Sequence, residues 1–82
     1  MLNSHILLID DHALFRSGLR MIIESRFEGV QVLEAGSLEQ ALGPDVRRPA
    51  VVLLDIRLPG LNGLESIAVL KGRWQDVPIV ML

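Results

Sequence analysis

At 82 residues with no cysteine, the chain fits one small domain, without disulfides or thiolate zinc sites. Its apolar runs fall far short of the ~20 residues that span a bilayer, and no basic-then-apolar leader opens it, so a cytoplasmic protein without a membrane partner is expected. A formal net charge of −2 gives no electrostatic footprint for nucleic acid, and binding of DNA by these residues alone is not expected.

Residues 5–10 read as a fully buried strand, because Ile6-Leu7-Leu8-Ile9 is continuously apolar rather than alternating. From Ala13 to Phe27 the period becomes helical, with Phe15, Leu19, Ile22 and Ile23 on one stripe. Asp11 is placed to cap this helix and Gly29 lies just past its end. Arg16, Arg20 and Arg26 read as its solvated face. Residues 30–35 form a shorter, less buried strand on which Glu34 faces solvent. Ser37 and Gln40 fit a capping box for a helix presenting Leu38, Ala41 and Leu42, which Gly43-Pro44 ends early. Residues 45–49 are irregular. Residues 50–55 are a second fully buried strand. Residues 63–71 place Leu64, Ile67, Ala68 and Lys71 along one helical row, with Gly72 as terminator. Residues 77–82 are a fourth apolar strand, with Pro78 tolerated at its start. The order β-α-β-α-β-α-β implies a doubly wound parallel α/β sheet, whose ligands belong at the carboxyl ends of the strands.

Two of the buried strands end on acids: Asp10 and Asp11 after the first, Asp55 after the third. Alone, Asp11 is an ordinary helix cap and Asp55 an ordinary strand terminator. Together they gather three carboxylates in one pocket. At about 5 Å these would repel by roughly 3 kcal/mol per pair at an effective dielectric near 20. Such a cluster needs a cation or shared protons, and oxygen-only donors suit a hard ion such as Mg²⁺. His12 is adjacent but reads as a helix-surface histidine, since hard metals prefer oxygen.

The Asp10-Asp11 pair in register with the loop Asp55-Ile-Arg-Leu-Pro-Gly-Leu-Asn-Gly63 resembles the receiver domain of bacterial two-component response regulators. The stretch from Asp10 to Leu19 is most similar to the subfamily whose receivers precede a DNA-binding helix-turn-helix domain. The resemblance covers essentially the whole chain as a single domain, 1–82. It implies a flavodoxin-like fold and a phosphoacceptor, Asp55, that attacks the phosphorus of a phosphohistidine on a sensor histidine kinase. It further implies Mg²⁺ held directly by Asp11 and Asp55, by Asp10 largely through water, and by the backbone carbonyl of Arg57. The domain would then be a signalling module rather than an enzyme, and would regulate transcription in the full-length protein.

The family pattern has five strands in the order 2-1-3-4-5, and these residues supply four. The serine or threonine that the family places after strand four and the lysine that it places after strand five do not occur here. The one lysine, Lys71, sits on the third helix. The expectation is a receiver lacking the fifth strand and the last two helices. Its strand-four edge would be apolar and exposed, and the chain would form a homodimer through it. The alternative reading is a non-signalling interaction module that pairs through the same edge. A phosphatase on this scaffold would need an acid two residues beyond Asp55, where Arg57 stands.

Overall fold

The computed structural model describes residues 4–60 and 62–82. The apolar runs become parallel strands joined by helices: β1 (Ser4–Ile9), α1 (Ala13–Arg26), β2 (Val30–Ala35), α2 (Leu38–Ala41), β3 (Val51–Leu54), α3 (Gly63–Arg73) and β4 (Ile79–Met81). The sheet order is β2-β1-β3-β4, the first four places of the flavodoxin-like order. Central β1 pairs with β2 from Ser4↔Val30 to Ile9↔Ala35, and with β3 from Ile6↔Val51 to Ile9↔Leu54. β4 pairs with β3 alone, through Val52↔Ile79 to Leu54↔Met81.

The alternation of the pleat assigns the two faces. Leu7, Ile9, Val52 and Leu54 point toward α2 and α3, where they pack with Ala35, Ala41, Leu58, Leu70, Trp74 and Val77 as the core. Leu8 and Val32 point the other way, toward α1, and are also buried. Cover on that second face is thin. No residue of α1 is buried, and of the expected stripe Leu19 and Ile23 are half-buried while Phe15 and Ile22 are 55% and 65% exposed.

Several local expectations are corrected. His12, not Asp11, is the N-cap residue of α1, and its side chain makes no cap bond. Its backbone N–H donates instead to Asp10 Oδ1 at 2.8 Å, so the preceding acid satisfies the turn. Ser37 accepts from the Gln40 N–H as foreseen, but Gln40 Oε1 accepts from Gly36 N rather than closing the box on Ser37. Gly72 does not terminate α3, which continues to Arg73 before Trp74 caps it. The buried face of α3 is also rotated from the expected row. Ser66, Leu70 and Trp74 are buried, whereas Leu64 is 80% exposed. A complete capping box between Asn62 and Glu65 sets where the helix begins. Small residues then let its first turn lie against β4: a Cβ on Gly63 would stand 3.2 Å from Met81 Cε.

At the opposite end of α3, Arg73 donates to the carbonyls of Leu42, Gly43 and Val46 at 2.8, 3.0 and 3.2 Å, and stacks over Trp74. One guanidinium thereby ties the end of α3 to the backbone that leaves α2. Lys71 Nζ donates to the Val77 carbonyl at 2.7 Å, fixing the turn into β4 and keeping this cation out of the acid cluster.

Candidate functional site

The register of β1 and β3 brings the acids together. The Asp10 N–H donates to the Ala35 carbonyl at 3.0 Å, and the Asp55 N–H to the Ile9 carbonyl at 2.9 Å. Each acid is therefore the first residue beyond a fully buried one, held by the neighbouring strand's last backbone bonds. Asp10 is 2% exposed, Asp11 lies at the open rim, and the Asp55 side chain is 13% exposed. Asp55 Oδ1 accepts from the Arg57 N–H at 2.9 Å. One ligand atom from each of Asp10, Asp11, His12 and Asp55 lies within 4.8 Å of the others. The cluster opens into a cleft of about 330 Å³, walled also by Phe15, Ile56, Arg57 and Leu82.

All three predicted carboxylates therefore meet. Two residues read as surface positions make contacts that the pattern did not show, His12 while remaining at the surface as expected, its side chain 69% exposed. The His12 imidazole lies in the cluster, with Nδ1 at 3.2 Å from Asp11 Oδ1, 3.3 Å from Asp10 Oδ1 and 3.9 Å from Asp55 Oδ2. Glu34 does not face solvent freely. Its Oε1 accepts from Arg16 Nε at 2.7 Å and its Oε2 from Arg20 Nη1 at 3.2 Å. The Arg16 guanidinium beside it is the main reason that its carboxyl is held below the ordinary carboxylate value. Arg16 also donates from Nη1 to the Asp10 carbonyl at 2.6 Å. Helical periodicity treats all charged positions on α1 alike, so nothing in the pattern separated Arg16 from the freely solvated Arg26.

The donor chemistry fits a hard divalent cation. Several carboxylate oxygens converge beside an open cleft with room for water, the surroundings a small oxygen-loving ion requires. A lone acid cluster is ambiguous, but the fold and the sequence place this one among known proteins. The family model described as "Response regulator receiver domain" matches residues 6–82. The chain belongs to that family. It is 42% identical over 76 residues to the transcriptional activator protein ExaE of Pseudomonas putida, and 38% identical over 80 residues to the response regulator UvrY of Escherichia coli strain K12. These alignments cover 92% and 95% of this chain but 36% of each relative, so the chain spans about a third of their length.

Solved receivers have the same architecture. A LuxR-family two-component response regulator from Aurantimonas sp. SI85-9A1 superposes with a TM-score of 0.81 at 32% identity, covering 96% of this chain and 57% of that one. The response regulator TrrA of Thermotoga maritima, solved in complex with Mg²⁺ and BeF, superposes at 0.79 with 29% identity, over 95% and 67% of the two chains. Receiver domains are signalling modules, and no helix among the described residues is long and apolar enough to cross a membrane.

Proposed function

We propose that Asp55 is the phosphoacceptor of this receiver and that Asp10, Asp11, Asp55 and the Arg57 backbone carbonyl hold Mg²⁺. The observation that carries this reading is the division of labour at Asp55. One carboxylate oxygen is tied to the Arg57 N–H, while the other is turned toward the acid cluster. The anchored oxygen fixes the carboxylate plane and leaves Oδ2 as the nucleophile. In the transfer, Oδ2 attacks the phosphorus of a phosphohistidine on a sensor histidine kinase. The P–N bond breaks, its electron pair returns to the imidazole of the kinase, and an acyl phosphate forms on Asp55. When bound, Mg²⁺ supplies charge neutralisation to the transferring phosphoryl oxygens. The residues of the chain position Asp55, keep Asp10 buried behind it and leave the cleft open for in-line approach.

A part in cytoplasmic regulation of transcription is the role proposed, supported by the similarity to the transcriptional activator protein ExaE and the response regulator UvrY. The direct test is intact mass after incubation with Mg²⁺ and acetyl phosphate, beside Asp55→Asn. An adduct on the wild type that is absent from the mutant is expected. A folded wild type that gains no adduct would remove Asp55 from this role.

A second reading is favoured by one observation. β4 lies at the edge of the sheet, with Val80 and Leu82 47% and 42% exposed. Two copies pairing through that edge would cover both. A single monomeric species in equilibrium sedimentation at tens of micromolar would exclude it.

A further inference from the structure

We propose that Arg16 is a positioning residue of the acid pocket: braced by Glu34, its guanidinium grips the Asp10 carbonyl and fixes the turn carrying Asp10 and Asp11. The proposal rests on the reading of that pocket as a Mg²⁺ site.

Three features separate this arrangement from an ordinary surface ion pair, which contributes little. First, the bonds are short and partly shielded. Nε reaches Glu34 at 2.7 Å with both side chains 18% exposed, and Nη1 reaches the Asp10 carbonyl at 2.6 Å. Second, the bonds converge on one peptide. The Asp10 N–H is held by the Ala35 carbonyl of β2, and its C=O by an arginine braced on Glu34 of the same strand. With both backbone groups of Asp10 fixed, its carboxylate can take the His12 N–H and start the helix with the acids facing the cleft. Third, the neighbouring chain makes room for the guanidinium. A Cβ on Gly36 would stand 3.1 Å from Arg16 Nη1 and 3.4 Å from Gln40 Oε1. Arg20 occupies the second oxygen of Glu34, so the brace is held from two sides.

The sign of the effect on metal binding distinguishes positioning from bulk electrostatics. Removing a cation close to the pocket should by Coulomb's law tighten binding of another cation. Loss of a group that orients metal ligands weakens it, typically 10–100-fold. Arg16→Lys keeps the charge but has neither the fork nor the rigidity to hold both partners. It should therefore resemble Arg16→Ala if geometry matters and the wild type if charge does.

The experiment is a titration of the chain with MgCl₂, followed by the amide resonances of Asp11, His12 and Arg57. The variants are Arg16→Ala, Arg16→Lys, Gly36→Ala and Asp55→Asn, and hydrogen exchange of the His12 amide is measured without metal. Where the wild type binds Mg²⁺, affinity decides. Roughly tenfold weakening in both Arg16 variants, with a smaller loss in the charge-neutral Gly36→Ala, supports the proposal. Unchanged or tighter binding in Arg16→Ala overturns it. Should Arg16→Ala unfold, Gly36→Ala decides by the same criterion. If the wild type shows no Mg²⁺-dependent shifts, the metal reading fails on its own, and His12 exchange becomes the deciding measurement. Faster exchange in the Arg16 variants, with Ile9 unchanged, then upholds the positioning of Asp10, and equal exchange overturns it.

Discussion

Without metal, the acid pocket should cost the fold stability, and Asp55→Asn should recover part of it. The carboxylate oxygens lie within 4.8 Å of one another. A pair of full charges at that separation repels by about 3.5 kcal/mol at an effective dielectric of 20, and by about 1 kcal/mol in bulk water. The pocket is neither limit, since Asp10 is buried while Asp11 sits at the rim. Asn at position 55 keeps an oxygen to accept the Arg57 N–H, so the anchoring bond survives the substitution. What disappears is the repulsion of Asp55 by two neighbours, offset by its contact with His12. A net gain of about 1–2 kcal/mol follows, or roughly 5–15 °C in Tm for a domain of this size. Differential scanning calorimetry in EDTA at low salt measures it. Added NaCl should shrink the gain by screening, and millimolar Mg²⁺ should raise the wild type toward the mutant through preferential binding to the folded state. An equal or lower Tm for Asp55→Asn in EDTA, with unchanged circular dichroism, would refute the reasoning. The acids would then not be in mutual repulsion.

Two further outcomes follow from other parts of the molecule. Leu70 is 1% exposed at the centre of the α3 contact with the sheet. Leu70→Ala should therefore cost about 2–4 kcal/mol in urea unfolding, whereas Leu64→Ala, on the exposed side of α3, should cost less than about 0.5 kcal/mol. The Glu34 carboxyl is held below its ordinary 4.5 chiefly by its bond from Arg16. The stability it contributes is in full above that value and is lost as pH falls through the lower folded one. Glu34→Gln should accordingly destabilise the chain at pH 7 but converge with the wild type once the pH has fallen through the lowered value of the folded carboxyl. Parallel urea curves across the whole range would exclude a folded-state role for the charge.

The parts legible from the residues were those governed by burial. Continuous apolar runs marked β1, β3 and β4, alternation marked the less buried β2, and the helices between successive strands implied that the sheet is parallel. The site acids followed from where those runs stop. Side-chain partnership was not legible. His12 and Arg16 carry polar groups on a helix that exposes most of its surface, and periodicity has no means of telling a gripping arginine from a solvated one. The face of α3 was misread for a related reason. Its inner row includes half-buried Gly63 and buried Ser66, residues that contribute close approach rather than apolar area, while the larger Leu64 points outward. Asp11 stands where a helix cap is expected, but Asp10 makes the bond and Asp11 lies more open to solvent.

The site and the core share one constraint. Ile9 and Leu54 are opposite each other in the β1–β3 pairing, both essentially inaccessible, and each is followed at once by an acid of the pocket. Side chains alternate along a strand, so a one-residue slip of β3 would turn Val52 and Leu54 out of the core. Each such residue is worth about 1.5–3 kcal/mol when buried, so the slip would forfeit several kcal/mol of a small domain's stability. The same slip would carry Asp55 away from Asp10 and break its N–H bond to the Ile9 carbonyl. The apolar residues before the acids therefore hold the spacing of the carboxylates, although none of them carries a polar group to the cleft. Substitutions at Ile9 or Leu54 that conserve volume should leave the pocket assembled. Those that loosen the register should impair the acid site before they unfold the sheet.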